Sequence, residues 1–344
     1  MKLNKFNYLI LALIATALIF SCKKDKDVEV LPSLDGILNF EGTEFINPET
    51  KLTFKPKGIT HPKGKELGYY WKVSPDMMIG DTTKTEDGSG DGSFSYLFSD
   101  SLGTYTVTAT AYASGYYSSS FSKYVTIVSS NILNGSITGA GFGLIGDDFI
   151  IDSRDSRKYF VTKIGNQEWL RQNLSYSGPN NDLGHAFRDA EVMSNIFGRY
   201  YTWEEAQNAC PDGWKLPSEA DWTELGRTLS GETGLTEGEV IEGIAGDMMV
   251  NASFNTNRLW EYFPAVNITN SSRLSIIPTG YAQKTDSINN FDGIYDYATF
   301  WTSDENPENP NQVVYRYINK ENPDLFIGVS DKSSFATSIR CIKK

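Results

Sequence analysis

The chain has 344 residues, of which 40% are hydrophobic and 13% aromatic, and a formal net charge of −12 at pH 7. Its apolar content excludes wholesale disorder, and its length suggests two or three domains, each able to bury a core. The acidic balance argues against nucleic acid as a partner, because proteins that bind nucleic acid present clustered Lys and Arg to the phosphates.

The first 22 residues have the pattern of an export signal. Lys2 and Lys5 precede an apolar run over residues 8–20, which is too short for a comfortable membrane span and has the length of a signal-peptide core. The run leads into Cys22 and resembles a bacterial lipoprotein signal, although Phe20 replaces the usual small residue. We therefore expect residues 1–22 to be a signal peptide and Cys22 to carry the lipid; the alternative is an ordinary secretory signal that is cut nearby.

A charged tether, residues 23–33, follows the cysteine with the sequence KKDKDVEVLPS. Its Lys-Asp run resembles the surface-export signals of Bacteroidetes lipoproteins, and its mixed charge leaves both the cell surface and the periplasmic face open. We expect an exported lipoprotein that is anchored in the outer membrane. With Cys22 lipidated, Cys210 and Cys341 remain, and two cysteines in an oxidising compartment are more often paired than free.

Residues 34–130 alternate between apolar and polar side chains with a period of two. The stretch GTYTVTATAY (103–112) shows the alternation, as do SFSYLF (93–98) and YYWKV (69–73), which places Trp71 and Val73 on one face. Such short strands at regular spacing predict an antiparallel β-sandwich. The sequence from Asp100 to Tyr105 resembles the D-x-G-x-Y corner of immunoglobulin-like and polycystic-kidney-disease (PKD) type domains, with Trp71 in the place of the core tryptophan.

One loop of this first part has the spacing of calcium ligands. Asp87, Ser89 and Asp91 are placed like the first ligands of an EF-hand loop, but Phe98 occupies the twelfth position, where a bidentate Glu is required. Gly and Asp also suit a polar hairpin loop, because they tolerate positive φ. We expect a loop rather than a calcium site.

Residues 131–146 are rich in glycine and predict a connection to a second domain over residues 147–344. This domain starts with a predicted hairpin over residues 157–174 that turns at Gly165-Asn166. Further strands are predicted in the loop-rich remainder, at 275–282, 300–303, 313–318 and 337–343.

Two helices of the second domain are predicted from their N-caps. Thr202 with Glu205, and Ser218 with Asp221, each have the spacing of a capping box. Cys210 is expected at the end of the first helix, where residues 211–213, Pro-Asp-Gly, would turn the chain. The fold class expected for the whole chain is therefore mainly β, with an α+β C-terminal half.

The second domain resembles the Fibrobacter succinogenes major paralogous domain. The resemblance rests on four spaced motifs, which are KIGNQEWLRQNL, GRYYTWEEAQNACPDGWKLPSEADWTEL, FWTSDE and SIRCIKK. It implies an exported protein with a fold of the C-type lectin and formylglycine-generating-enzyme group. In C-type lectin-like folds a cysteine at the first helix is bonded to one in the last strand, so the resemblance implies a structural disulfide between Cys210 and Cys341.

No catalytic signature accompanies this resemblance. Formylglycine-generating enzymes use a reactive cysteine pair, but the implied disulfide would remove it. The chain has no H-E-x-x-H, G-x-S-x-G or Walker motif and has only two histidines, His61 and His185. Carboxylate chemistry stays open, because the chain has 43 acidic residues.

Two groups of residues in the second domain are candidates for binding. Asp304 and Glu305 begin a loop rich in oxygen ligands that superficially resembles the calcium motifs of C-type lectins, although its order differs and a solvated loop is the preferred interpretation. Aromatic side chains that could stack on sugars are Trp260, Tyr262, Phe291, Tyr295 and Tyr297.

The function expected from the sequence is binding rather than catalysis. An immunoglobulin-like spacer would hold a lectin-like domain away from the lipid anchor and present its loops to a glycan or a protein. No cofactor is expected, with calcium the one open candidate. The alternatives are an enzyme that acts on extracellular polysaccharide or on protein side chains, and a structural subunit of a surface assembly.

Overall fold

The structure, a computed structural model, describes residues 30–75, 77–81, 90–128, 147–255, 257–284 and 288–344. Strands dominate, so the chain is mainly β, as the composition indicates. Cys22, the signal peptide, Asp87, Ser89 and the connection 131–146 lie outside the described residues. Among the helices of the described ranges, none combines the length and the apolar character needed to cross a membrane.

The elements are numbered here in chain order. The strands of the N-terminal part are β1 (Asp35–Phe40), β2 (Phe45–Ile46), β3 (Lys51–Phe54), β4 (Pro56–Thr60), β5 (Gly68–Ser74), β6 (Met77–Asp81), β7 (Phe94–Leu97), β8 (Gly103–Tyr112) and β9 (Ser119–Ile127). Those of the C-terminal part are β10 (Phe149–Ile151), β11 (Lys158–Ile164), β12 (Gln167–Leu170), β13 (Tyr201–Thr202), β14 (Trp214–Lys215), β15 (Ser253–Phe254), β16 (Asn257–Arg258), β17 (Tyr281–Lys284), β18 (Ile288–Asp292), β19 (Tyr297–Asn306), β20 (Asn309–Asn319), β21 (Phe326–Asp331), β22 (Phe335–Thr337) and β23 (Ile342–Lys343). The α-helices are α1 (Glu191–Phe197), α2 (Trp203–Ala206), α3 (Glu219–Ser230) and α4 (Ala245–Met248), and a 3-10 turn spans Phe187–Asp189.

The N-terminal part is built on a five-stranded sheet of order β2-β9-β8-β5-β6, accompanied by the pairs β1-β4 and β3-β7. Strands β5, β8 and β9 pair antiparallel, as the alternation predicts. Trp71 and Val73 are both fully buried, and the indole Nε1 of Trp71 donates to the carbonyl of Gly92 at 2.9 Å. The apolar faces of these strands therefore form one core.

The C-terminal part distributes its strands over several small sheets. The largest has the order β10-β11-β12-β23-β14, so the last strand of the chain lies between β12 and β14. A second sheet has the order β13-β22-β17-β18 and a third the order β19-β20-β21. The predicted hairpin is present as β11 and β12, which turn at Gly165 with a φ of 60°.

The two predicted helix starts are confirmed. Thr202 with Glu205, and Ser218 with Asp221, form complete capping boxes at α2 and α3. The expected position of Cys210 is wrong, because α2 ends at Ala206 and Cys210 lies in the turn that follows. Helices α1 and α4 were not predicted, since neither has a side-chain cap hydrogen bond that sequence spacing could indicate.

Two strand predictions in this part are also wrong in extent. Most of 275–282 is irregular, and only Tyr281 and Ala282 belong to a strand, β17. The segment 337–343 is divided between β22 and β23. Arg340 lies in the gap between these strands, where its side chain is fully buried and donates to the carbonyls of Leu170 and Leu274.

Cys210 and Cys341 form the disulfide that the resemblance implied. Cys341 is fully buried in a cluster that also contains Trp214, whose strand β14 pairs with β23 next to the bond. The disulfide therefore ties the turn after α2 to the last strand. Its two thiols are not available for chemistry while the bond is formed.

The N-terminal and C-terminal parts are in direct contact. Phe45 packs on Phe187 with 5.6 Å between ring centroids, and Arg188 forms an ion pair with Glu44. The amide Nδ2 of Asn255 donates to the carbonyl of Ile127 at 2.6 Å. Apolar packing, an ion pair and a hydrogen bond thus join the two parts, and Val128 is buried in the same cluster as Phe187 and Phe197.

Candidate functional site

A row of half-exposed aromatic side chains covers one face of the β19-β20-β21 sheet. Strand pairing places Tyr315 and Tyr317 on the same face of β20, with Tyr297 on β19 and Phe326 on β21 beside them. Tyr281 on β17 extends the row. We call these five residues, Tyr281, Tyr297, Tyr315, Tyr317 and Phe326, the tyrosine surface.

The rings of the tyrosine surface contact one another. The centroids of Tyr315 and Tyr317 lie 5.8 Å apart, and that of Tyr317 is 6.4 Å from Tyr297. Tyr317 stacks on Phe326 at 5.1 Å with an interplanar angle of 19°. These separations are those of favourable aromatic pairs, so the rings hold each other in place before any ligand arrives.

Buried aromatic residues support the tyrosine surface from below. Phe335 lies 5.2 Å from Tyr315 and 5.3 Å from Tyr281 between ring centroids, and it is nearly fully buried. Trp301 lies 5.4 Å from Phe335 and donates through Nε1 to the carbonyl of Tyr201 at 2.7 Å. The exposed rings therefore rest on a packed layer.

Two glycines allow the rings to lie close to the backbone. A Cβ at Gly328, opposite Tyr315 in the sheet, would lie 2.4 Å from Tyr315 Cζ. A Cβ at Gly293 would lie 2.9 Å from Tyr297 Cδ2, and Gly293 also has a φ of 68°. Side chains at either position would displace the neighbouring tyrosine ring.

The phenols of the tyrosine surface influence one another electrostatically. Burial raises the pKa of Tyr315, and the neighbouring Tyr317 and Tyr281 raise it further. Burial likewise raises the pKa of Tyr317, with a contribution from Tyr297, and the pKa of Tyr281, with contributions from Asp292 and Tyr297. The hydroxyls of Tyr281, Tyr315 and Tyr317 are therefore protonated at neutral pH and can both donate and accept hydrogen bonds.

A polar cavity of about 240 Å³ adjoins the tyrosine surface at Tyr297. Its other lining residues are Asp296, Asn319, Lys320 and Glu321. The ammonium of Lys320 contacts Asp296 at 2.8 Å and Glu261 at 2.6 Å, and these hydrogen bonds raise the pKa of Lys320. The cavity thus offers carboxylates, an amide and an ammonium next to an aromatic ring.

The structure places the aromatic residues that were predicted from the sequence in different environments. Trp260 is wrong as a ligand-binding residue, because its side chain is fully buried and its Nε1 donates to the carbonyl of Ile276. Tyr262 is 68% exposed and lies outside the tyrosine surface. Phe291 and Tyr295 line another cavity, between the two parts of the chain, and only Tyr297 belongs to the tyrosine surface.

The three candidate calcium ligands that the structure describes, Asp91, Asp304 and Glu305, are all in contact with other protein groups. Asp304 accepts a hydrogen bond from the backbone N–H of Glu219 at 2.7 Å, and Glu305 pairs with Lys332. Asp91 pairs with Lys55 at 3.0 Å and accepts from the N–H of Ser93. Within the described ranges, no three His, Cys, Asp or Glu residues are grouped so that they could hold a metal ion.

The sequence analysis missed four residues of the tyrosine surface, which are Tyr281, Tyr315, Tyr317 and Phe326. A signal was present for two of them, because Tyr315 and Tyr317 alternate with the buried Arg316 and Ile318 along β20. Period-two alternation of tyrosine with buried side chains indicates an aromatic face of a strand. No local pattern indicates that Tyr281 lies next to that strand.

Comparison with known proteins identifies one family. The sequence profile of the Fibrobacter succinogenes major domain matches residues 162–343. No curated protein sequence matches the chain significantly.

Similarities to solved structures are weak. Superoxide reductase (neelaredoxin) from Ignicoccus hospitalis is 14% identical with a TM-score of 0.21, over 27% of this chain and 80% of that chain. The adhesin InvE of Yersinia pseudotuberculosis is 9% identical with a TM-score of 0.25, over 90% of this chain and 70% of that chain. Neither similarity supports an inference about this chain.

Proposed function

The chain belongs to the Fibrobacter succinogenes major domain family, and from this premise we propose that it is a binding protein whose tyrosine surface receives a glycan. The observation that carries the proposal is the position of the polar cavity directly beside the exposed ring of Tyr297. A sugar ring has apolar C–H faces and a rim of hydroxyls, so it needs an aromatic face and polar groups at the same place.

The chemistry of the two neighbouring features fits a sugar. Tyr297 and Tyr317 offer ring faces for stacking, while Asp296, Asn319 and Glu321 offer acceptors and donors for hydroxyl groups. The phenol hydroxyls of the tyrosine surface add groups that both donate and accept. The row of rings continues from Tyr297 through Tyr317 to Tyr315, which favours a ligand of more than one sugar unit.

The groups at this site favour binding over glycoside hydrolysis. A hydrolase of that kind needs one carboxylic acid that carries a proton and a second carboxylate. Here Asp296 and Glu261 both accept hydrogen bonds from the ammonium of Lys320, so two carboxylates at the site already have a partner within the protein. The family is not a known enzyme family.

The remaining parts of the chain suit presentation of such a site at a cell surface. In our proposal, lipid on Cys22 anchors the chain to the outer membrane, residues 34–130 form an immunoglobulin- or PKD-like spacer, and residues 147–344 form a C-type lectin-like domain. The tyrosine surface lies in the last of these. Calcium is not required by the contacts that carry the proposal.

A protein ligand is the second candidate. Tyrosine is enriched at the energetic centres of protein interfaces, and the tyrosine surface presents several preorganised rings. A protein partner would use the rings and would not need the polar cavity. The two candidates therefore differ in their dependence on Asn319 and Glu321.

Arrays of neutral oligosaccharides and of short peptides, probed with the purified protein with and without calcium, would test the proposal. We expect an oligosaccharide to bind, and Tyr317→Ala to weaken it by about tenfold or more, which corresponds to about 1.4 kcal/mol. Tyr317→Phe retains the ring and is expected to lose less.

The matched control is Tyr262→Ala, which removes an exposed tyrosine outside the tyrosine surface. Equal losses in both alanine variants would contradict the proposed site. Binding of peptides alone would favour the protein ligand. Absence of binding on both arrays would count against a binding function.

A further inference from the structure

Acidic residues lie beside two members of the tyrosine surface. Asp292 is the strand partner of Tyr281 across β17 and β18. Asp296 and Glu321 line the polar cavity beside Tyr297. The charge of these residues bears on which glycans the site can take, so the inference below rests on the proposed function.

The carboxylate of Asp292 lies against the tyrosine surface. The hydroxyl of Tyr281 donates to Oδ2 of Asp292 at 3.4 Å. Burial raises the pKa of Tyr281, and the neighbouring Asp292 raises it further. Gly293, the next residue, lies close to two rings, because a Cβ there would be 3.3 Å from Tyr281 Cε1 and 2.9 Å from Tyr297 Cδ2. Asp292 therefore borders the part of the surface where these two tyrosines meet.

The negative charge of Asp292 is available to a ligand. Within the described ranges, both groups that donate to its carboxylate are uncharged, namely the hydroxyl of Tyr281 and the backbone N–H of Gly293, the latter at 2.7 Å. Asp292 is also exposed, so a molecule on the tyrosine surface can reach it.

The polar cavity adds further negative charge. The ammonium of Lys320 contacts Asp296 at 2.8 Å and Glu261 at 2.6 Å, so two carboxylates share one cation. Glu321 contributes another carboxylate to the lining. Charges act over a screening length of about 8 Å at physiological ionic strength, so a charged group in the cavity experiences this excess of carboxylates.

Sugar units differ in the charge that they would bring to this surface. A hexose is neutral, a uronic acid carries a carboxylate, and a hexosamine without its acetyl group carries an ammonium group. A carboxylate near Asp292 would be repelled, whereas an ammonium group would be attracted and could also contact the face of a tyrosine ring.

We propose that Asp292 makes the tyrosine surface selective for charge, so that glycans with free ammonium groups bind in preference to neutral glycans and uronic acid glycans are rejected. Asp292 is the residue that determines this specificity, because its carboxylate lies at the rings and accepts from uncharged donors. The carboxylates of the polar cavity act in the same direction.

The test compares three hexasaccharides of the same linkage that differ in charge, which are cellohexaose, the glucosamine hexamer and the glucuronate hexamer. Calorimetric titration of the purified protein in mildly acidic buffer, where the glucosamine amines carry protons, would measure each dissociation constant. We expect the glucosamine hexamer to bind about two- to fivefold more tightly than cellohexaose, as for a partly exposed ion pair, and the glucuronate hexamer to bind more weakly. High salt should reduce these differences, because it screens the charges.

The outcomes separate this inference from the function on which it rests. Equal or tighter binding of the glucuronate hexamer, with cellohexaose also bound, would overturn the charge selectivity and leave glycan binding intact. Absence of binding by all three hexasaccharides would count against the glycan function itself and against the inference with it.

A matched pair of variants locates the effect. Asp292→Asn is expected to remove most of the preference for the glucosamine hexamer over cellohexaose. Asp35→Asn changes the net charge of the chain equally, but Asp35 is exposed on β1 in the N-terminal part, so the preference should persist. Loss of the preference in both variants would assign it to the overall charge of −12, and its persistence in Asp292→Asn would likewise overturn the role of Asp292.

Discussion

Arg316 and Glu219 form an ion pair in the interior of the C-terminal part, where Nε of Arg316 donates to Oε2 of Glu219 at 3.0 Å. The pair joins α3 to β20 although the residues are 97 positions apart. Glu219 also accepts from the N–H of Gly238, and Arg316 donates to the carbonyl of Glu239. Because Arg316 lies between Tyr315 and Tyr317 on β20, the same pair supports the tyrosine surface from the opposite face.

Removing the carboxylate of this pair should destabilise the protein strongly. Glu219→Gln leaves the buried guanidinium without its counter-ion, and we expect the free energy of unfolding to fall by about 3–5 kcal/mol. Urea denaturation followed by tryptophan fluorescence would measure it. The control is Glu224→Gln, whose pair with Arg227 is largely exposed and should contribute at most about 1 kcal/mol; equal effects of both variants would contradict the role of the buried pair.

Removal of the disulfide should also lower the free energy of unfolding. The bond closes a loop with a sequence separation of 131 residues, and replacement of Cys210 and Cys341 by serine should lower the free energy of unfolding by about 4–5 kcal/mol in the chain-entropy model. Peptide mapping of the unreduced protein should recover the two cysteines in one linked peptide. Ready alkylation of Cys210 without reductant would instead favour the alternative that the protein is a thiol-dependent enzyme.

The tyrosine surface should be visible in an alkaline titration. Since burial and neighbouring phenols raise the pKa of Tyr315, ¹³C NMR of labelled tyrosine should show it ionising above the usual pH range of a tyrosine. Tyr317→Phe removes one neighbour, so the pKa of Tyr315 should fall but stay raised by burial. A Tyr315 that ionises in the usual pH range of a tyrosine would contradict this environment.

The raised pKa values also set the sign of a pH effect on stability. A phenol with a raised pKa holds its proton more tightly in the folded protein than in the unfolded chain. Its contribution to the free energy of unfolding is therefore complete below about pH 10 and is lost as the pH rises through the folded pKa. Tyr317→Phe should flatten this decline, which pH-dependent urea denaturation would show.

Asp91 should titrate at unusually low pH. A hydrogen bond from Ser93 and the ammonium of Lys55 lower its pKa to about 2. Ser93→Ala should raise the pKa, as observed by NMR of the carboxyl carbon. The associated stability is present above about pH 4 and is lost as the pH falls through 2, and it should be small because the group is exposed and screened; an unchanged pKa in Ser93→Ala would show that Ser93 is not the main cause.

Gly328→Ala tests whether the order of the rings matters for binding. The added Cβ would contact the ring of Tyr315 and displace it from its place beside Tyr317. We expect oligosaccharide binding to weaken while the urea midpoint changes little, because Gly328 is only half-buried and does not have a positive φ. Gly234→Ala, at a glycine with open space around it, is the control, and unchanged binding in Gly328→Ala would argue that Tyr315 is not used.

Local patterns in the sequence determined much of the fold. The alternation in β5 and β8 indicated which side chains are buried, and the capping boxes at Thr202 and Ser218 indicated where α2 and α3 begin. These predictions succeed because each depends on residues within a few positions of one another. The mainly β class and the family resemblance were available in the same way.

Tertiary structure alone decided what the aromatic residues do. Trp260 and Tyr297 are both aromatic residues in loop-rich sequence, yet one is fully buried and the other is 38% exposed beside a polar cavity. Burial depends on which distant strands cover a side chain, and no local spacing contains that information. The contact between the N-terminal and C-terminal parts likewise exists only because Phe45 and Glu44 meet residues more than 140 positions later in the chain. The sequence determined the alternation of the first strands and the starts of two helices, because those signals are local. Long-range packing determined the extent of the later strands and the surfaces available for binding.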